Sequence, residues 1–299
     1  MTYSLDKLLV VGISSRALFD LEIEEAIFQQ QGLVAYRQHQ LDNENAILRQ
    51  GAGFALVRAL LKLNQLAAGE RLVEVVIMSR NSSETSLRIF NSIKHYDLDI
   101  TRAVLAGGAP LAPYLHAFNV SLFLSLHEDD VQAAINAGTA AALLYQKPAG
   151  VPAELAQIRI AFDGDAVIFS DESERIFQAH GIEAFEQHER ENALKPLPEG
   201  PFARLLKALS FLQTTFMDVP QRPIRTALVT ARSSPSHERV IRTLRAWDVS
   251  IDETFFMGGV AKSDVLAAFN PHMFFDDHPG HCDRAASRVQ TGRVLIKAD

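Results

Sequence analysis

The chain has 299 residues, room for two domains of roughly 150 each, and 47% hydrophobic against 22% charged residues, the balance of a globular protein with a sizeable core. A formal net charge of −7 excludes a general nucleic-acid binder, which needs a basic face to displace counterions, but leaves room for a small anionic ligand held by local cations or a metal. The single cysteine, Cys282, excludes an intrachain disulfide and a cysteine-based zinc cluster and reads as an incidental thiol.

The opening MTYSLDKLLVVGISSR has no basic region followed by a long apolar run and a small-residue cleavage site. No stretch approaches the roughly 18 apolar residues of a membrane span. The expectation is a soluble, cytoplasmic chain with no membrane partner. In chain order, KLLVVGI from Lys7 reads as a buried strand, GFALVRALLKLNQLA from Gly53 as a helix with apolar residues at i, i+3, i+4 and i+7, and VEVVIM and VSLFLS as further strands. The Gly- and Pro-bearing AGVPAE from Ala149 marks a boundary, giving domains 1–150 and 151–299. After it, IRIAF, RTALVT and HMFF read as strands and FARLLKALSFLQ as a helix. Continuous apolar strands suit a parallel sheet covered on both faces, and the alternation of strand and helix predicts an α/β doubly wound fold. Such sheets bind ligands beyond the C-terminal ends of their strands.

The two halves repeat each other. SSRALFDLEIEEAIFQQQGLVAYRQHQ from Ser15 aligns without a gap on GDAVIFSDESERIFQAHGIEAFEQHE from Gly164, an offset of 149 (164 − 15) that places Phe28 on Phe177, Gly32 on Gly181 and His39 on His188. Further on the offset becomes 151, with Gly107-Gly108 on Gly258-Gly259 and HAFNVSLFLS on AAFNPHMFFD. The shared order predicts tandem copies from an internal duplication.

The chemistry lies where the copies disagree. Asp163 faces Ser14, Asp165 faces Arg16, Lys262 faces Leu111, Asp276 faces Ser125 and Asp277 faces Leu126. A fold that does without these groups in one half does not need them in the other. Asp163 and Asp165 follow a strand at i and i+2, and two such carboxylates repel unless a cation intervenes. Asp276 and Asp277 end another apolar run at the same sheet edge, and oxygen ligands suit Mg2+. Asp163 is then a nucleophile toward phosphorus, and Asp165 an acid that serves the leaving alkoxide and later a base toward water. Lys262 and Thr230, which ends RTALVT, are phosphate ligands, with Gly164 and Arg232 added to that set.

At these residues the chain resembles the haloacid-dehalogenase-like phosphatases, whose pattern reads here as FDGDAV, LVTA, Lys262 and FFDD. It is more similar still to the cytosolic type I 5′-nucleotidases, through GISSRALFD, FNSIKHYDLDI, AFDGDAVIFSDESERIF and LVTARSS. That resemblance runs over nearly the whole chain. It implies two tandem HAD-like, Rossmannoid parallel-sheet domains, the first lacking the catalytic acids and the second catalytic with a small helical cap at about 171–223. It implies magnesium-dependent hydrolysis of nucleoside 5′-monophosphates, AMP-like or deoxynucleotides, through an aspartyl phosphate. By the same resemblance Asp163 is nucleophile, Asp165 acid/base, Thr230 and Lys262 phosphate ligands, and Asp276 or Asp277 a metal ligand beside the backbone carbonyl of Asp165. The competing readings are a phosphatase for another small ester such as a sugar phosphate, and a non-catalytic nucleotide sensor. Homo-oligomerisation is left open.

Lesser features complete the reading. Arg232 with Ser233 and Ser234 either reaches phosphate or ribose or forms a turn, since Arg80, Ser82 and Ser83 match them. His278 and His281 read as exposed loop residues, Gly258-Gly259 as a turn, HEREN (188–192) as a solvated helix face, and Phe177 and Phe185 as core residues of the cap rather than base-stacking groups. The first copy is expected to be a structural lobe; Ser14, Ser15 and Arg16 motivate a regulatory anion there as the sharper alternative.

Overall fold

The structure, a computed structural model, describes residues 4–67, 70–146, 155–233 and 236–297. The chain divides after Gln146 into two units. The boundary stretch from Ala149 to Glu154 and Ser234 lie outside the described residues.

In the first unit Leu9–Ile13 is buried at every position, as a strand covered on both faces must be. It pairs in parallel with Val73–Ser79 on one side and Leu122–Ser125 on the other; Arg102–Leu105 and Ala141–Leu144 follow outward. In the second unit Ile158–Phe162 takes the same place, flanked by Ile224–Thr230 and Met273–Asp276, with Glu253–Phe256 and Thr291–Arg293 outside them. Each unit is thus α/β with a parallel, Rossmann-like sheet. The chain builds outward from its first strand, then crosses to the other side, so the order reverses beside that strand. A crevice opens at such a reversal, beyond the C-terminal strand ends.

The helices follow from the periodic apolar positions. Phe54–Leu66 buries Leu56, Val57, Leu60 and Leu63, and Ala203–Thr215 buries Leu205, Leu206, Leu209 and Leu212 against strand Ile224–Thr230. Ala203–Thr215 therefore covers the sheet. The other helical part of 171–223, Glu172–Glu191, packs on the turn Gly164–Ile168 instead. It is two arms joined at Gly181, at φ 81°, and Glu22–Asp42 is broken the same way at Gly32, at φ 79°. A side chain there would force an L-residue into the left-handed region. No described helix is long and apolar enough to cross a membrane.

Phe162 and Phe275, on neighbouring strands of the second sheet, stack with ring centroids 5.6 Å apart, and Phe202 packs tilted on Phe275 at 4.9 Å. Close backbone approach fixes the chain beside them: a Cβ on Gly200 would lie 2.2 Å from the carbonyl oxygen of Phe169. Gly200→Ala is expected to destabilise the chain by about 2 kcal/mol or more, read as a lower denaturant midpoint at unchanged slope.

His272, just before strand Met273–Asp276, accepts from the Arg159 amide at 3.2 Å. Burial, then the nearby Arg159 charge, pushes its pKa down to about 4. The folded chain therefore holds it neutral between about pH 4 and its ordinary value, while the unfolded chain takes up a proton, so stability falls as pH drops through that window. His272→Gln should lose less stability than the parent between pH 7 and pH 4.5, by on the order of 2–3 kcal/mol, in denaturant titrations at the two pH values.

Candidate active site

The strand register brings the second unit's ionisable residues to one point. The Asp163 amide donates to the carbonyl of Phe275 at 2.8 Å, and Phe275 pairs with Phe162, so Asp276 stands level with Asp163. Thr230 ends the strand on the other side, two residues beyond Leu228, the partner of Phe162. All three are buried. Lys262 arrives from a loop that turns at Gly258 and Gly259, at φ 54° and 86°, and stands at the start of helix Ser263–Phe269. Its Nζ lies 2.8 Å from Asp163 Oδ2 and 2.8 Å from Asp276 Oδ2. One ammonium bridges two carboxylates at the reversal of strand order.

After Asp163 the chain makes a wide turn. The Asp163 carboxylate accepts from the Gly164 amide at 2.7 Å, Phe169 N–H closes back onto the Gly164 carbonyl at 2.9 Å, and Ala166 sits at φ 59°. A Cβ on Gly164 would lie 3.3 Å from Thr230 Oγ1, so glycine lets the turn lie close to that hydroxyl. Asp165 is extended and accepts from Arg232 at both oxygens, 2.8 and 2.6 Å. Arg232 also donates to Glu189, which accepts from Arg239 at 2.9 Å and from the Ser173 hydroxyl at 2.8 Å. The Arg232 guanidinium further lies over the Phe185 ring, 5.3 Å from its centroid.

Charge is crowded here. Burial raises the Asp163 pKa to about 7, with Asp276 and Asp165 adding to the shift against the opposing Lys262 ammonium. Burial raises Asp277 to about 8, reinforced by Asp163 and Asp276. Asp276 stays below the ordinary range: burial opposes ionisation, but His281 and Lys262 outweigh it. Lys262 in turn is held above its usual value by the two carboxylates, against its own burial. Asp163, Asp276 and His281 each offer an atom within 4.8 Å of the others. With one ammonium among them, Asp163 and Asp277 still resist ionisation while Asp276 stays charged, an arrangement that fits a further cation, and their hard oxygens could hold a divalent metal.

Asp163, Gly164, Thr230, Lys262 and Asp276 therefore come together as their strands predict. Asp277 belongs to the same field but not to the tight three-atom group, and the Asp165 carboxylate turns to Arg232. Arg232, read as a phosphate ligand, has its guanidinium engaged by Asp165 and Glu189. Two readings need correction. His281 is not simply exposed: its Nδ1 is 3.3 Å from Asp276 Oδ2, while neighbouring His278 accepts from the Gly280 amide and caps helix Pro279–Ala286. HEREN is not a wholly solvated face, because Glu189 is buried. The missed signal was its spacing four residues after Phe185, which puts both on one face. Of the two phenylalanines only Phe185 is buried; Phe177 is 43% exposed, its ring edge-on to Phe185 at 6.3 Å. The Gly258-Gly259 turn is present. Cys282 is buried, donates its S–H to the Asp276 carbonyl at 3.3 Å, and has its thiol pKa pushed up by burial.

A Rossmann-like sheet with buried acids and a lysine at its strand-order reversal defines the class of protein. The chain belongs to the 5′-nucleotidase family, whose model matches residues 1–299. It is 40% identical over 286 residues to human cytosolic 5′-nucleotidase 1B, an alignment that covers 93% of this chain and 47% of that protein. The chain thus spans about half the length of this curated relative. No solved structure matches it.

The raised pKa values carry a sign. Between about pH 4 and pH 8 the metal-free folded chain holds protons on Asp163 and Asp277 that the unfolded chain has released, so its stability falls as pH rises through that window. A cation bound by the ionised carboxylates reverses the penalty. The rise in Tm on replacing EDTA with magnesium is expected to be larger at pH 8 than at pH 6 by calorimetry. No rise at either pH would exclude cation binding by these carboxylates, and an equal rise at both would overturn proton retention on Asp163 and Asp277.

Proposed function

We propose that the chain hydrolyses nucleoside 5′-monophosphates at the second unit through an aspartyl phosphate on Asp163. The observation that carries this is the Asp163 carboxylate at the strand-order reversal, 2.8 Å from a lysine ammonium that also holds Asp276. Family membership and the likeness to a human protein named as a cytosolic 5′-nucleotidase support the substrate class and a cytoplasmic setting.

The residues divide the work. Asp163 has one oxygen on the Gly164 amide and the other on Lys262, which orients the carboxylate for attack on phosphorus. Attack forms the bond from Asp163 oxygen to phosphorus and breaks the bond from phosphorus to the nucleoside 5′ oxygen. Lys262 and the Thr230 hydroxyl face the charge that spreads over the phosphoryl oxygens. Asp165 would act as the acid once one of its oxygens leaves Arg232 and takes a proton from solvent: it hands that proton to the departing oxygen, and as carboxylate takes one from the water that then cleaves the aspartyl phosphate. Arg232 is a positioning residue, gripping Asp165 from a guanidinium anchored on Glu189. Asp163, Asp276 and Asp277, with the Asp165 carbonyl, are the groups that would hold Mg2+. When bound, the ion neutralises the anionic nucleophile and phosphate and orients the latter.

The arms of Glu172–Glu191 form the cap, tied to the site through Glu189. A tandem duplication accounts for the equal strand orders, the Gly32 and Gly181 breaks, and the Phe28–Tyr36 and Phe177–Phe185 edge-on pairs. The arginines Arg88 and Arg239 support it too. Each meets a buried carboxylate, although on opposite arms of the broken helix: Glu24, which aligns with Ser173, in the first unit, and Glu189, which aligns with Gln40, in the second.

Phosphate release from a panel of nucleoside monophosphates and sugar phosphates tests the proposal. Asp163→Asn should lower kcat by at least roughly a thousandfold. Thr230→Val should lower it by about a hundredfold. EDTA should stop release and magnesium restore it; full activity of Asp163→Asn would end the proposal. Arg232→Lys, which keeps the charge but loses the fork, should lower kcat more than it raises KM and shift the acid or alkaline limb of the pH profile.

A further inference from the structure

The first unit has a half-open cavity of about 590 Å³ at the C-terminal ends of its strands, within the range of small-molecule sites. Its floor occupies the positions that carry the ionic groups in the second unit. Ser14 stands where the second unit has Asp163, Ser79 where it has Thr230, and buried Leu111 where it has Lys262. The Ser15 and Ser79 hydroxyls lie 3.0 Å apart. The floor is thus hydroxyl and hydrocarbon, without a cation.

The arginines in the walls do not supply one. Arg16 is bound by Glu22 at 2.9 Å and reaches Glu25 at 3.5 Å. Arg80 donates to Asp130 through Nε at 2.8 Å, and Arg37 donates to Glu84. The lining carries the three arginines Arg16, Arg37 and Arg80 against the four carboxylates Glu24, Glu25, Glu84 and Asp130, so the cavity has no surplus positive charge for a phosphate. This argues against the regulatory anion that Ser14, Ser15 and Arg16 suggest in the sequence.

The remaining surface is apolar and aromatic. Phe28 and Tyr36 line it edge-on, 5.9 Å apart, on the two arms of Glu22–Asp42, as Phe177 and Phe185 stand on Glu172–Glu191. A flat ring fits against such side chains, and the serine and asparagine groups near the strand ends suit sugar hydroxyls.

We propose that this cavity is a second ligand site and that it takes a nucleoside without a phosphate. The choice of nucleoside over other neutral ring compounds rests on the proposed function, because the corresponding crevice of the second unit would hold the nucleoside end of its substrate. The first unit then keeps the recognition half of the site and lacks the phosphate half.

The test titrates the full chain, in EDTA, with adenosine, guanosine, cytidine and thymidine by calorimetry. At least one should bind. Ser82→Trp, which puts a bulky ring into the lining, and Phe28→Ala, which removes a ring wall, should each weaken binding by about tenfold or more, or roughly 1.4 kcal/mol. Phe177→Ala, the counterpart in the second unit, should leave this affinity intact, and inorganic phosphate should not compete. Unchanged thermal unfolding and circular dichroism show that each variant is folded. Photolabelling of the unaltered chain with 8-azidoadenosine should mark peptides spanning 14–37 or 78–85. Absence of nucleoside binding, unchanged affinity in both first-unit variants, label confined to the second unit, or displacement by phosphate would each overturn the proposal. Nucleoside binding here without phosphate release from monophosphates would sink the catalytic reading alone. Phosphate release without nucleoside binding here would sink only this one.

Discussion

The second unit depends on one ammonium shared by two buried carboxylates. Moving Asp163, Asp276 and Lys262 out of water costs more than any single pair returns, unless every charge keeps close partners. That requirement sets the geometry around it. Two parallel strands must end level with each other, a glycine turn must bring in the lysine, and the amide of Gly164 must meet the carboxylate. Even so the charges do not balance, and the protons retained by Asp163 and Asp277 express the deficit. A site with a standing demand for positive charge is suited to a cation together with an anionic substrate.

A second buried network connects this centre to the helical arms. Glu189 is ringed by Arg232, Arg239 and Ser173, and Arg232 carries the connection to Asp165. Burial opposes the charge on Glu189, but Arg232 and its other partners hold its pKa below the ordinary range. Removing one member would leave another charge buried without its partner, so the arm and the Asp165 side chain are held as a unit. Asp165 sits two residues from Asp163, yet its partner comes from beyond another strand.

The first unit shows the same frame with the ionic floor removed. Serine and leucine occupy the strand ends, and the parallel sheet keeps its order. The apolar strands therefore hold the architecture, and the charges in the second unit lie on it as a local burden. What persists in the first unit is shape: the broken helix, the edge-on aromatic pair and a half-open cavity.

The three central strands of each unit were legible because continuous apolar runs have few alternatives to a doubly covered sheet. The outer strands were not: Arg102–Leu105 and Glu253–Phe256 are short and mix a charged residue with apolar ones, Thr291–Arg293 is a bare Thr-Gly-Arg, and Ala141–Leu144 lacks β-branched residues. Pairing with a formed neighbour makes them strands, and that neighbour lies far along the chain. Contrast between the copies was enough to single out Asp163, Asp165, Lys262, Asp276 and Asp277. It could not say that Arg232 would grip Asp165 and Glu189, that His281 would approach Asp276, or that Glu22 would engage Arg16. By itself the sequence determined which residues carry charge and which strands end in them. Only the tertiary structure decided which charges neutralise one another, because partner choice depends on distances of a few ångströms between groups dozens of residues apart, and on the burial that makes each unpaired charge costly.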